Sequence, residues 1–412
     1  MRSLHSQIGK VSLALLLAFL GCGASAQAEA PPPTSLPSVS DTIDIFGFRL
    51  LRTLVKSDSG ENVIISPLSV SLALAIAYNG AAGDTKAAMA KTLAVSSAND
   101  DDLNRANHDL MDIIEKADPS VQMEIANALW AQSGFPINPA FLKLSRDSYG
   151  APVESLDFEK APQQAADTIN AWVDKNTHGK IPKIIERGDP TTRLMITDAV
   201  YFKGRWALPF DKKATQQRDF HLQNGESVKA PMMFQRGKYP YFETDGFQAI
   251  RLSYGKDRFA MYIFLPRKRA GLSDFLSSLD QPRWAQWMAR FSDRKGEIVL
   301  PKLESSWGTS LNSALKAMGM AIAFDAGSAD FSRINSTQLF IKDVEHKTYI
   351  KVDEEGTEAA AVTSIGVSAA AVIASPPPFE MVVDHPFFCA ILEQESGALL
   401  FAGVVTDPTR RK

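Results

Sequence analysis

Few side chains in this 412-residue sequence are spaced for catalysis. The six histidines (His5, His108, His178, His221, His346, His385) are scattered, and no HExxH pair presents a zinc-binding face. The sequence has no GxSxG elbow, Walker loop, dinucleotide-binding glycine fingerprint or CxxC pair. Carboxylates are plentiful, yet no pair stands out for acid–base work. Cys389 lies in the apolar run Phe387–Ile391 with no cationic neighbour to activate it, and it reads as a small buried hydrophobe. Arg267-Lys268-Arg269, the densest basic cluster, follows an apolar run ending Phe264-Leu265-Pro266 and reads as a solvated hairpin turn rather than a polyanion site. No metal ion or cofactor is expected.

What remains is chemistry of the backbone. No charge interrupts the sequence between Glu358 and Glu380, where the residues are small or β-branched and end in Pro376-Pro377-Pro378. The run is too long for an ordinary connection. An uncharged, strand-prone segment left exposed is an aggregation hazard. It is therefore either buried in a sheet or poised to become a strand. In a strand, Thr357, Ala359, Ala361, Thr363, Ile365 and Val367 share one face, and Glu358, Ala360, Val362, Ser364, Gly366 and Ser368 share the other. The first face grows apolar and the second stays mostly small or polar, which suits a strand sliding into a helix-covered sheet. An ordinary sandwich strand with a Pro-rich exit carries the same alternation.

The elements around this segment can be read from their caps and periods. Ser66-Pro67 opens a helix that runs to Gly80, with Ser as N-cap and Pro at the first helical position. Asp84-Thr85 is expected to cap a second helix ending near Leu93. Leu103–Ile114 carries a helical period, as does Ala165–Asn176, where Ile169, Trp172 and Val173 share a face and Gly179 is the stop. Strands are expected over Gln122–Gln132, Ala199–Phe202, Phe259–Leu265, Glu297–Leu303, Leu339–Val352, Met381–Glu393 and Leu399–Val404. Helices early and strands late argue for an α+β fold with large sheets covered by helices on one side.

Composition narrows the class. Hydrophobic residues at 45% and charged residues at 22% exclude a disordered or collagen-like chain. Lys plus Arg at 44 against Asp plus Glu at 47 offers no basic footprint for nucleic acid, and two cysteines cannot form a disulfide scaffold. Length alone suggests two or three domains. Residues 1–26 read as a signal peptide, with Arg2 and Lys10 ahead of the apolar run Val11–Leu20. Ala24-Ser25-Ala26 fits cleavage before Gln27, while Phe19-Leu20-Gly21-Cys22 resembles a bacterial lipobox, with cleavage after residue 21 and a lipid on Cys22. Both stay open. Either way the protein is expected to be exported to the periplasm, envelope or medium, and to meet a membrane only through Cys22. Residues 27–40, with Pro31-Pro32-Pro33 and Pro37, read as a stiffened tether.

Glu354-Glu355-Gly356-Thr357-Glu358-Ala359-Ala360-Ala361 resembles the hinge of the serpins, the serine-protease inhibitor superfamily. In the same register lie Asn62–Ser69, Ile169–Val173, Thr177–Ile181, Tyr201–Trp206, Leu300–Leu303, His346, Asp384–Phe388 and Leu400–Pro408, each similar to a serpin segment. The resemblance runs from Asp41 to the C-terminus, so it implies a single serpin domain over 41–412, a monomer, and an inhibitor rather than an enzyme.

It also implies a mechanism. An exposed loop is attacked by a serine, or a cysteine, protease, and the cut loop inserts as a new strand that carries the acyl-enzyme away and stalls it. Glu354, Gly356, Thr357, Glu358, Ala359, Ala360 and Ala361 would form the hinge. Ser66 or Ser69, Asp198 and His346 would form a shutter beneath the opening sheet, and Trp206 would lie at the breach where it starts to open. Counting along the hinge puts the reactive bond between Ala370 and Ala371, with Ala369, Val372 and Ile373 also open as cutting positions. No Arg or Lys lies in the segment, which favours an elastase-like or subtilisin-like target over a trypsin-like one. Small hinge residues are what insertion needs. The alternative is a non-inhibitory serpin that acts by binding or as a chaperone. One residue departs from the family pattern: Asp198 stands where Asn is usual, and a charged Asp198 is expected to favour a protonated His346.

Overall fold

A computed structural model describes residues 38–57, 60–95, 99–356 and 377–410. In chain order its main elements are α1 Val39–Ser57, β1 Val63–Ile65, α2 Pro67–Gly80, α3 Gly83–Leu93, α4 Asp100–Ala117, β2 Val121–Gln132, α5 Pro139–Tyr149, β3 Val153–Leu156, α6 Pro162–Asn176 and β4 Leu194–Gly204. Then follow β5 Gln216–His221, β6 Ser227–Glu243, β7 Phe247–Tyr254, β8 Phe259–Pro266, α7 Leu272–Ser278, α8 Gln281–Met288, β9 Ser292–Pro301, β10 Leu303–Ser310, α9 Asn312–Leu315, β11 Ile341–Val352, β12 Phe379–Val382, β13 Phe387–Glu393 and β14 Leu399–Val405. The fold is α+β.

Among the described residues, nine strands form one sheet, along the path β1-β14-β13-β8-β7-β6-β9-β12 with β5 beside β6. The other sheet has five strands in the order β10-β11-β4-β2-β3. Helix α2 is buried along its whole length, which explains why it is apolar all round instead of amphipathic. It packs against β2, β4 and β14. Ser66 caps it as expected, its Oγ accepting from the Ser69 N–H at 3.3 Å.

Several expectations are corrected. The five-stranded sheet is covered on both faces, by α2 on the inner face and α6 on the outer. Beneath α6, Trp130, Phe158, Ala165, Ala166, Ile169 and Met195 make a separate apolar cluster. Helix α3 begins at Gly83 without a side-chain cap, because the Thr85 hydroxyl instead accepts the Asp330 N–H at 2.9 Å. Glu297–Leu303 divides at Lys302 into β9 and β10, which belong to different sheets. Met381–Glu393 divides into β12 and β13 around Pro386, which has no N–H for a ladder. Arg267-Lys268-Arg269 is not a hairpin turn; it joins β8 to α7, with Arg267 bonded to Glu243 and to the Thr244 carbonyl. Helix α1 starts at Val39, inside the stretch read as tether, because Ser38 and Asp41 form a reciprocal capping box.

Candidate functional site

The interior of the five-stranded sheet contains a parallel join. Strands β4 and β11 lie side by side and run parallel, from Ile341 opposite Leu194 to Tyr349 opposite Tyr201. Their outer neighbours β2 and β10 pair with them antiparallel. Parallel pairing is slightly less stable per residue. A chain that leaves the top of β11, turns, and returns between the two strands would run antiparallel to both.

The turn that could make this move is Asp353–Gly356, and it is already fastened at the top of β4. Gly356 forms antiparallel bridges to both Arg205 and Asp353. The Trp206 N–H donates to the Glu355 carbonyl at 3.1 Å, the Phe210 N–H to that of Glu354 at 2.7 Å, and the Trp206 indole Nε1–H to that of Asp353 at 2.9 Å. The Trp206 ring stacks on Tyr254 at 4.3 Å. Glu354 is buried, and its carboxylate accepts from Lys302 Nζ and the Thr215 hydroxyl, each at 2.7 Å. Burial pushes this carboxyl up, but the Lys302 ammonium and the Thr215 hydroxyl more than offset it, leaving it below the usual range. Glu355 pairs with Lys212. Gly356 adopts φ +128°, where other residues are strained.

Half-way down the seam, on the inner face, a buried polar cluster holds β4, β11 and α2 together. Asp198 and His346 are directly opposite, both fully buried, with Asp198 Oδ2 2.9 Å from His346 Nδ1. The Ser69 hydroxyl donates to Asp198 Oδ1. Asn127 on β2 donates to the Ser69 carbonyl at 3.0 Å. The Ser66 backbone N–H donates to His346 Nε2 at 3.1 Å. A ring nitrogen that accepts a hydrogen bond carries no proton, so His346 is the neutral tautomer with its proton on Nδ1, toward Asp198. This corrects the expectation of a cationic His346: the amide of Ser66 occupies the place a second ring proton would need.

A closed seam, a fastened return turn and a polar lock between them are features on which known folds can be compared. The family profile for Serpin (serine protease inhibitor) matches residues 41–408. The chain is a serpin. An uncharacterized serpin-like protein of Thermococcus kodakarensis is 34% identical, over 96% of this chain and 97% of its own. Serpin B6 of Pongo abelii is 33% identical, over 88% and 97%. Among solved structures, the thermophilic serpin Tengpin in its native state superposes with a TM-score of 0.80 at 28% identity, covering 90% of this chain and 94% of that one. An Arabidopsis serpin in the native stressed conformation gives 0.81 at 28% identity, covering 91% and 100%.

In this serpin the residues assigned to the shutter, Ser66, Ser69, Asp198 and His346, meet in one cluster, and Trp206 bonds the Asp353 and Glu355 carbonyls of the turn that holds the assigned hinge residues Glu354 and Gly356. Thr357, Glu358, Ala359, Ala360, Ala361, the Ala370–Ala371 bond and Cys22 lie outside the described residues, as does the whole of 1–26. Sequence reasoning missed Asn127, although a lone polar residue on the buried face of β2 was a usable signal. It also missed what lies on the outer face of the seam. There Tyr201 and Tyr349 face each other at 6.0 Å, and the segment after α6 crosses above, with Lys347 Nζ donating to the Lys183 carbonyl at 2.9 Å. Cys389 is buried as expected, and burial alone pushes its thiol up to about 12.

Proposed function

We propose that this serpin is a suicide-substrate inhibitor of an elastase-like or subtilisin-like serine protease, cut between Ala370 and Ala371 and trapping its target by inserting the residues after Gly356 between β4 and β11. The observation that carries this reading is the double bridge at Gly356. Extending the Asp353 bridge down β11 and the Arg205 bridge down β4 gives the same level on both strands. Ala360 then falls between Tyr349 and Tyr201, which already face each other, and Thr363 falls between His346 and Asp198. The return turn thus stands in register for entry.

The side chains suit that register. Thr357, Ala359, Ala361, Thr363 and Ile365 would share the inner face with Val352, Ile350, Thr348, His346 and Val344, all buried. Glu358 would sit between Lys351 and Lys203. Insertion would reach Val367 opposite Leu194 at the start of β4, three residues short of the assigned cut. The new ladder bonds, at roughly 0.5–1.5 kcal/mol each, supply on the order of 10 kcal/mol to drive the transition. Export, with or without a lipid on Cys22, and a monomeric state belong to the same reading; the mass of the mature N-terminus tests the first.

The deciding experiment is to incubate the mature protein with pancreatic-type elastase and run a denaturing gel. A band at the summed mass that survives boiling supports trapping. A clipped band alone, with no gain in heat stability of the clipped protein, overturns the inhibitory reading in favour of a serpin that acts by binding. Mass spectrometry of the released peptide places the bond, and a cut outside Ala369–Ile373 refutes the assignment.

A further inference from the structure

The outer face of the seam carries a carboxylate in the path of an entering strand. Glu345 lies on β11, opposite Thr197 on β4 and Ser310 on β10. It lines an open cavity of about 1060 Å3, walled by Pro162 and Gln163 of α6, Ile184–Pro190 of the crossing segment, Met195 and Asp343. The charged groups around it are Asp343 and Lys347 on its own strand, Lys342 beside them, and Lys183, Glu186, Arg187 and Asp189 above. The basic ones are largely engaged elsewhere: Lys342 pairs with Asp189, Lys183 with Glu186, and Lys347 bonds the Lys183 carbonyl. Asp343 is bonded to Asn312. Among the described residues no ion pair involves Glu345.

We propose that Glu345 sets the partition between trapping and release: when charged it opposes passage of the loop along the seam, so the serpin traps its protease more efficiently in mildly acidic than in alkaline solution. The inference rests on the inhibitory reading above, in whose register Ser364 passes between Glu345 and Thr197 and Gly366 between Asp343 and Met195. An incoming backbone there removes the water that still reaches the cavity. Serine offers one hydroxyl and glycine none, so a carboxylate gains little in exchange for that water, while the neutral acid loses little. Burial first, and the Asp343 charge second, already push the Glu345 carboxyl up to about 7, while Ser310 pulls it slightly back. The change of charge therefore falls within the physiological range. Above that point, each further pH unit slows insertion by up to about tenfold, the limit for one proton. Deacylation of the protease proceeds meanwhile, and the balance shifts from trapped complex to cleaved inhibitor.

The test is the number of inhibitor molecules consumed per elastase molecule trapped, measured from pH 6 to 9 for the wild type and Glu345→Gln. Comparing the two at each pH cancels the titration of the protease itself. The expected result is a wild-type ratio that climbs above pH 7 and a Glu345→Gln ratio that stays flat. Asp343→Asn forms a second arm: without the neighbouring charge, the climb should begin at lower pH, and this arm stands even if Glu345→Gln fails to fold. Equal pH dependence in wild type and Glu345→Gln, or an unmoved midpoint in Asp343→Asn, overturns the proposal. Absence of complex for every variant at every pH instead removes the inhibitory reading beneath it.

Discussion

Gly356→Ala isolates the contacts that hold the return turn out of the sheet. At φ +128° a side chain strains the backbone by about 1–2 kcal/mol. The added Cβ also has no room, since it would lie 2.3 Å from the Gly204 carbonyl oxygen and 2.6 Å from both Arg205 Cα and Trp206 N. All three are backbone atoms, so the turn must withdraw from β4. Withdrawal opens three hydrogen bonds, from Trp206 N–H to Glu355, from Phe210 N–H to Glu354 and from the Trp206 indole to Asp353. At roughly 0.5–1.5 kcal/mol each, the combined loss is about 3–6 kcal/mol. That should lower the Tm of the intact protein by roughly 5–15 °C on the scaling for single domains. The assay is thermal unfolding by circular dichroism, before and after loop cleavage. The intact variant should melt well below wild type and convert faster on warming to inserted or polymeric species on a native gel. If intact Gly356→Ala melts with wild type within error, the turn is not what keeps the seam shut.

Three other outcomes follow from the same contacts. In the proposed insertion register, Thr357→Arg would put a long cation on the inner face beside Val352, so elastase should cleave the variant without being trapped; stoichiometric trapping on a denaturing gel would contradict that register. Asp198→Asn removes the carboxylate beside His346 Nδ1, and because the Ser66 amide bonded to Nε2 leaves the ring neutral in this geometry, the variant should trap protease with the pH profile of wild type; a changed profile between pH 5.5 and 8 would contradict that hydrogen-bond arrangement. For Glu345, a carboxyl raised from 4.5 to about 7 contributes stability that is fully present below pH 4.5 and lost as pH rises to 7. Glu345→Gln should therefore gain on wild type across that window, by about 2–3 kcal/mol at pH 8 after allowing for residual solvent, read as a gap in urea midpoint that opens between pH 5 and 8.

Much of this was legible locally. Ser66-Pro67 announces its helix because the cap and the proline act within one turn. The seam itself was not legible, because the parallel neighbours β4 and β11 are separated by the 136 residues 205–340. A separation of 52 residues also hid the Lys302–Glu354 bond, since nothing local marks Lys302 as the partner of a buried carboxylate. The state of His346 was left open by the sequence for a related reason. Asp198 alone argues for a cation, and only the Ser66 amide, brought in by α2, decides for the neutral ring. Nothing in the sequence singles out Glu345, because alternation assigns a face without saying that α6 and the segment after it cover that face.

The seam is the place where each local preference is met least well. Its backbone join is parallel in the interior of the sheet, whereas the other parallel join, β2 with β3, lies at an edge and spans four residue pairs. Its inner row is polar at Asp198 and His346, where apolar packing would stabilise the closed sheet more. Its outer row sets Glu345 near Asp343, two carboxyls that burial pushes up. In the proposed insertion, a strand with Thr357, Ala359, Ala361 and Thr363 on its inner face would replace one parallel join with two antiparallel ones, and its small side chains would add little steric cost. The outer row is then the remaining resistance to entry, and the charge on Glu345 is the part of it that pH can remove.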